Sequence, residues 1–393
     1  MRHCALDTRD TCFNTSNEGA CLMRRRDFCI SLPLALAASI GGLLPACARR
    51  RPLRVLILGG TGFVGPHLTR AAIAAGHDVS LFNRGVTNPE AFPELELLIG
   101  NRYPDRDAGL SALEGVRTWD AVIDTWQEAP GCIDATTRML ADRVGRYVYV
   151  SSIATYRSFR AAGMTEDSSL RDAAEHIATF DSGLGYPTRK RAGEQAAEQV
   201  FGERATVLRC TSIQGRHERG RNANNEAGYW PYRFLTGAVV LAPDDPTAAF
   251  QLIDVKDMAD FAVRCIERGY GGAYNLVGPE ESLLLREYLE AWREAAGNRS
   301  RIVWVDPEWL LRQEVRPFDD IPNWIPASDP EPGFYRLSNE KSIAHGLTYR
   351  PLGDTLVDAV AGVRNVADLV PSGPGLSRER ELELIASWQA TVT

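Results

Sequence analysis

Lysine is almost missing from this 393-residue chain: of its 44 basic residues only Lys190, Lys256 and Lys341 are lysines, so arginine is the default cation and each lysine invites a chemical reason. Long basic runs are also lacking in the body of the chain, and the net charge is −7. That leaves no clustered cationic surface of the kind duplex nucleic acid demands, so no DNA partner is expected and a small or neutral molecule is. Cysteine is sparse where it would matter. Cys4, Cys12, Cys21, Cys29 and Cys47 lie in the first 48 residues, leaving Cys132, Cys210 and Cys265, whose spacing gives neither a disulfide framework nor a metal-ligand set; no metal site is expected. No internal repeat and no low-complexity tail is visible. With 44% hydrophobic and 24% charged residues, what is present suffices for a large core in one large or two modest domains.

The N-terminal region is read apart from the fold. Arg24-Arg25-Arg26-Asp27-Phe28 is followed by an apolar stretch from Cys29 to Ala46, broken by Pro33, Gly41-Gly42 and Pro45, and then by Arg49 to Arg51. This resembles a twin-arginine export signal, which implies the twin-arginine translocase as a partner and a periplasmic or otherwise exported product. The helix breakers argue against a membrane span, which needs ~20 apolar residues. Ala46-Cys47-Ala48 suits cleavage after Ala48, whereas Leu44-Pro45-Ala46-Cys47 resembles a lipobox and would leave a lipoprotein attached through Cys47; both stay open. Met23 directly precedes the arginines and is an alternative start.

From Arg54 the chain reads as an unbroken apolar strand, Val55-Leu56-Ile57-Leu58, then Gly59-Gly60-Thr61-Gly62-Phe63-Val64-Gly65 and a helix through Ala75. A strand that is apolar throughout is buried on both faces, as in a parallel sheet. Glycines at 59, 62 and 65 allow a tight turn, a close backbone approach to a pyrophosphate, and a helix N-terminus aimed at it. Gly59, Thr61, Gly62, Phe63, Val64 and Gly65 are therefore expected to hold a dinucleotide. The second strand, Asp78 to Phe82, ends in Asn83-Arg84-Gly85 rather than in the acid that usually takes the ribose hydroxyls of NAD. Asn83 and Arg84 join the expected cofactor residues, and Arg84 favours NADP over NAD, unless it only stacks on the adenine. Further strands at 121–124, ending in Asp124, an expected cofactor contact, and followed by Trp126, at 147–150 and at 205–209 alternate with helices. The expected fold is α/β, a Rossmann-type doubly wound parallel sheet with a smaller C-terminal α/β substrate lobe. Its C-terminal strand edge, where ligands bind, carries Ser151 and Ser152.

Those glycines, then Ser151-Ser152-Ile153-Ala154-Thr155-Tyr156, then Tyr186-Pro187-Thr188-Arg189-Lys190, resemble the extended short-chain dehydrogenases, the NAD-dependent epimerase/dehydratase family. The resemblance covers about residues 53–350 and is strongest before Lys190. It implies that Ser152 orients a substrate hydroxyl or carbonyl with Ser151 beside it, that Tyr186 moves the proton, and that Lys190 touches the nicotinamide ribose. The spacing has a chemical reason. Residues four apart share a helix face, and an ammonium beside a phenol lowers its pKa from the usual ~10. An arginine, always protonated and bulkier, does not replace it. Glu166, Asp167 and Asp172 in the long gap before Tyr186 are expected in solvated loop, with a pocket-mouth role as the alternative.

Division of the chain follows: 1–48 as signal region, 52–210 with 251–278 as the dinucleotide-binding domain, 211–250 with 279–370 as substrate lobe, and 371–393 as a terminal helix. Trp126, Tyr156 and Trp230 are candidate substrate contacts, with Asn222, Asn224, Asn225, Tyr229 and Tyr232 in the same aromatic and amide-rich region that would suit a carbohydrate; packing of a helix start is the alternative for Trp230. Sugar-nucleotide epimerases often hold the diphosphate with an arginine where this chain has Phe250, followed by Gln251. That departure disfavours a nucleotide-sugar substrate, in keeping with export. The expected function is an epimerase/dehydratase-like reaction on a sugar or glycoside with a tightly bound NADP or NAD recycled within each turnover. The alternatives are an NADP(H)-linked reductase or dehydrogenase and a non-catalytic nucleotide- or RNA-binding protein, since Leu81-Phe82-Asn83-Arg84-Gly85 is similar to a branch that includes plant chloroplast RNA-binding or endonuclease-like proteins. The family also allows a homodimer through helices near Tyr186.

Overall fold

A computed structural model describes residues 51–217, 225–363 and 375–392; the expected signal region and the two cleavage sites considered for it lie outside them. Strands follow in chain order as β1 (Arg54–Leu58), β2 (Asp78–Asn83), β3 (Glu96–Ile99), β4 (Trp119–Asp124), β5 (Val144–Ser152), β6 (Ala205–Cys210), β7 (Ser212–Gln214), β8 (Val239–Pro243), β9 (Ala249–Asp254), β10 (Gly272–Leu276), β11 (Gly278–Leu284) and β12 (Arg301–Val305). Seven of them form one sheet in the order β10-β6-β5-β4-β1-β2-β3, parallel throughout. The strand order reverses between β1 and β4, which opens a crevice at their C-terminal ends.

Helices α1 (Val64–Ala74), α2 (Gly131–Leu140), α3 (Tyr186–Phe201), α4 (Asn225–Thr236) and α5 (Val255–Arg268) follow the same logic. One apolar layer joins Val55, Ile57, Leu68, Ala72, Met258 and Ala262; the opposite layer joins Leu56, Leu58, Ile133, Ala192 and Ala196. Alternate residues of β1 thus feed opposite layers, which is why its sequence is apolar without interruption. The small residues Ala192, Gly193, Ala196 and Ala197 let α3 lie close on the sheet; a Cβ at Gly193 would come within 2.6 Å of the Tyr149 hydroxyl.

Away from this sheet, β7-β9-β11 and β8-β12 form two small sheets. They pack with α4, with α6 (Leu285–Ala295) and with the C-terminal helix Arg378–Val392 around an aromatic-rich core that contains Trp230, Phe250, Trp292 and Trp324. Glu381 on this helix is buried between Arg233 and Arg378 and accepts the Leu241 amide at 3.0 Å, which ties the helix to β8.

The strands and helices expected from periodicity are present within a few residues. Two strands of the main sheet carry no strand pattern in the sequence. β3 is an edge strand exposed on part of its length, and β10, with Gly272 and Asn275 inside it, lacks an apolar run. Among the described residues no helix is long and apolar enough to cross a membrane.

Candidate active site

The crevice above the C-terminal ends of β1, β2, β4 and β5 is a cleft of about 580 Å³. Gly59, Thr61, Gly62, Phe63, Val64 and Gly65 form one wall, as the glycine spacing implies. Two of the glycines are required by contact. A Cβ on Gly59, which has φ +122°, would stand 2.4 Å from Thr125 Oγ1, and one on Gly65 would stand 2.6 Å from the backbone of Gly60. At Gly62 a Cβ would meet nothing within 4 Å, because this position faces the open cleft.

Helix α1 begins there with no side-chain cap and no acid in its first turn. Its unpaired N–H groups and dipole are thus available to a phosphate. Asn83 and Arg84 line the next part of the cleft; Asn83 Oδ1 accepts the Gly85 amide at 2.7 Å, whereas its buried Nδ2 has no partner within the protein. An orphaned donor beside an uncapped helix start and an open glycine fits a dinucleotide, whose diphosphate the α1 N-terminus would hold and whose adenosine Asn83 and Arg84 would hold. Among the cleft-lining residues Glu128 is the one acid, against Arg84, Arg102, Arg106 and Lys190.

Tyr186 opens α3, with Pro187 in the first turn where a missing N–H is harmless. It is 40% exposed and lines the cleft with Lys190, one turn further on. The Lys190 ammonium is buried and donates to the carbonyls of Val150 (2.8 Å) and Trp126 (3.0 Å). Burial lowers its pKa to about 8, with Asp124 pulling the other way. One ammonium proton remains beyond those two bonds.

The two serines part company, as neighbours on a strand must. Ser151 lines the cleft and donates its hydroxyl proton to Glu194 at 2.6 Å. Ser152, expected to orient the substrate, is not among the lining residues; its Oγ accepts the Ala154 amide at 3.2 Å and caps the short 3₁₀ turn 153–155. Glu194 lies four residues beyond Lys190 and is buried, held by Arg191 at 2.9 Å and by Arg209 at 3.1 Å from both Nε and Nη2. Its signal in the sequence is the continued four-residue spacing on α3.

Three expected contacts lie elsewhere. Tyr156 is fully buried, donating to Asn275 at 2.7 Å and accepting from Arg209 at 3.2 Å. Trp230 is fully buried in the second core with its indole N–H on the Pro322 carbonyl at 3.0 Å, so helix packing accounts for it. Asp124 sits beneath the cleft rather than in it, locked to Arg102 at 2.6 and 2.8 Å. Trp126 does line the cleft, half-buried. Asn222 and Asn224 fall outside the described residues, and Tyr229 is core. Glu166 is half-buried and does not line the cleft: it accepts the Asn275 amide at 2.7 Å and pins the long segment before Tyr186 to β10, while Asp167 and Asp172 are exposed. Asn101, Tyr103, Arg106, Gln127 and Ile213 also line the cleft; the first three follow edge strand β3, which has no strong apolar signal. Cys132, Cys210 and Cys265 are free buried thiols, each pushed up to about 12 by burial.

A glycine-rich loop at a strand-order reversal, with a Tyr-x-x-x-Lys helix across the cleft, defines a dinucleotide-dependent enzyme. Residues 55–276 match the model of the NAD dependent epimerase/dehydratase family, and the chain belongs to that family. It is 26% identical over 266 residues to 2'-dehydrokanamycin reductase of Streptomyces kanamyceticus, covering 66% of this chain and 72% of that protein. It is 27% identical over 260 residues to epimerase family protein SDR39U1 of Bos taurus, covering 62% and 81%. Among solved structures, the Bordetella bronchiseptica enzyme WbmH in complex with NAD+ superposes with TM-score 0.59 at 19% identity over 80% of this chain and 99% of that one. UDP-N-acetylglucosamine 4-epimerase from Bacillus cereus does so with TM-score 0.57 at 14% identity over 80% and 100%. At these identities the two structures establish the fold.

Proposed function

We propose that this enzyme interconverts a secondary alcohol and a ketone on a sugar or glycoside that carries no nucleotide diphosphate, and that it does so as an epimerase or dehydratase with a retained NADP or NAD. The observation that carries the reading is the convergence of Tyr186, Lys190 and Ser151 on the cleft beside the glycine-rich loop. The bound dinucleotide supplies the hydride acceptor and donor. Tyr186 takes the proton of the substrate hydroxyl, and the Lys190 ammonium stabilises the phenolate that makes this possible at working pH. Ser151 has committed its own proton to Glu194, so it presents lone pairs to the cleft and accepts from the substrate hydroxyl.

A substrate without a nucleotide diphosphate is supported by Phe250. This side chain is fully buried against Tyr288 and Tyr335, at ring-centroid separations of 4.2 and 4.9 Å, where a diphosphate would call for a cation. Export through the twin-arginine pathway, which carries folded proteins, would let the dinucleotide travel inside the enzyme; Arg24-Arg25-Arg26-Asp27-Phe28 supports this. Exposed Arg84 at the adenosine end favours NADP.

The competing reading is an NADP(H)-linked reductase that exchanges its cofactor, favoured by the relative named as a reductase. Conversion of a sugar or glycoside by the purified protein without added cofactor, unaffected by oxidised or reduced dinucleotide, is the result expected of the retained cycle. Steady dependence on added cofactor contradicts it and selects the reductase.

A further inference from the structure

Asp124 is a heavily engaged carboxylate beneath the cleft and does not line it. It is fully buried at the end of β4. Arg102 grips both of its oxygens, from Nη1 at 2.6 Å and Nη2 at 2.8 Å, and Tyr147 donates a further bond to Oδ2. Oδ1 also accepts the backbone N–H of Trp126, two residues on, at 2.9 Å. This bond closes a turn over Thr125 of the kind an Asx side chain makes with its own backbone. The turn fixes where the next carbonyl points. Trp126 O accepts from Lys190 Nζ at 3.0 Å and from the Tyr149 hydroxyl at 3.0 Å.

The geometry points to Asp124 as a positioning residue for Lys190: the Arg102–Asp124 lock sets the Trp126 turn, and the Trp126 carbonyl sets the ammonium against the cleft. The inference rests on the proposed role of Lys190 for its functional meaning and on the hydrogen bonds alone for its physical content. Val150 O is the second acceptor, on β5, which is paired with β4 on one side and β6 on the other; Trp126 lies past the end of β4, where the Asp124 bond fixes the turn. Replacing both charges of the lock together with apolar side chains leaves no unpaired buried charge from the pair, and such a replacement is often no less stable than the ion pair.

The near absence of lysine makes the test direct. In the full chain labelled with ¹³C,¹⁵N-lysine only Lys190, Lys256 and Lys341 contribute signals, and the one lost in Lys190→Arg is Lys190. The readout is the exchange of its ammonium protons with water, measured without substrate. The groups facing this amine are Asp124, Glu194, Arg189, Cys210 and Tyr149, with Tyr186 beside it in the cleft; all but Asp124 stay unchanged in the variants. In Arg102→Met/Asp124→Leu the protons should exchange at least about tenfold faster, as expected when one of two buried acceptors is lost. In Asp124→Asn, whose side-chain oxygen can still accept the Trp126 amide, protection should persist while the titration midpoint falls, because a nearby negative charge has gone. Equal protection in wild type and the folded double variant overturns the inference, as does loss of protection in Asp124→Asn. Should the double variant not fold, Arg102→Gln/Asp124→Ala, which also removes the acceptor of the Trp126 amide, is read by the same criterion. Failure of Lys190 in catalysis would appear instead as full activity in Lys190→Arg with these exchange results intact.

Discussion

Ser151 and Glu194, 43 residues apart in sequence, are joined by a 2.6 Å hydrogen bond between the end of β5 and the inner face of α3. The carboxylate has two arginines as further donors, so the serine proton has one place to go and the hydroxyl orientation is set from behind. Glu194→Gln leaves buried Arg209 without its counter-charge and should lower unfolding free energy by about 3–5 kcal/mol in urea titrations. Ser151→Ala removes one bond of several and should cost only about 1 kcal/mol. Turnover in Ser151→Ala should nevertheless fall more than ten-fold; a variant as active as wild type removes Ser151 from the site.

Tyr186→Phe should leave fold and dinucleotide binding intact and reduce kcat by about 10²–10⁴, the usual range for a proton-transfer group. Turnover on a panel of sugars and glycosides is the measurement. A pure binding protein would be indifferent to this change.

Lys190 gives a pH dependence with a definite sign. Its ammonium form is the active one, and burial lowers its pKa from the ordinary 10.5 to about 8. The kcat/KM profile should therefore fall as pH rises through about 8. Stability should move the other way. Between about 8 and 10.5 the unfolded chain holds a proton that the folded chain has released, so this group's contribution to stability rises with pH across that window. Lys190→Met should lack both trends.

Arg84→Ala should weaken NADP binding by roughly 10- to 100-fold, the worth of one or two charge-assisted bonds, and leave NAD binding nearly unchanged. Calorimetric titration of both cofactors checks this. Equal loss for the two would mean that Arg84 stacks on the adenine.

Trp230→Ala should destabilise by about 3–5 kcal/mol through the cavity it leaves, without altering dinucleotide affinity. A selective loss of substrate affinity at unchanged stability would return Trp230 to the site.

The glycine loop, the parallel sheet and the Tyr-x-x-x-Lys helix were legible because each is a local pattern: a fully apolar strand, glycines where a Cβ would clash, and residues one helical turn apart. What was not legible depends on partners distant in sequence. Nothing local separates Ser151 from Ser152; which of them faces the cleft depends on where β5 ends against β6 and α3. Tyr156 and Trp230 carry the same surface chemistry as a sugar contact, and only the tertiary placement of Arg209, Asn275 and Pro322 makes them core. Asp124 stands at the right edge of the sheet for a cofactor contact, but Arg102, on a loop after an edge strand with no strong apolar signal, turns it inward.

The most direct measurement is of what the cleft holds. The full chain, expressed in a host able to export it, is purified, denatured, and the released small molecules are identified and quantified by mass spectrometry. Close to one NADP or NAD per chain is the expected result, with NADP predominant if Arg84 reads the 2′-phosphate. A folded protein that releases no dinucleotide and takes up neither NADP nor NAD on addition would contradict the assignment of this cleft and the chemistry built on it.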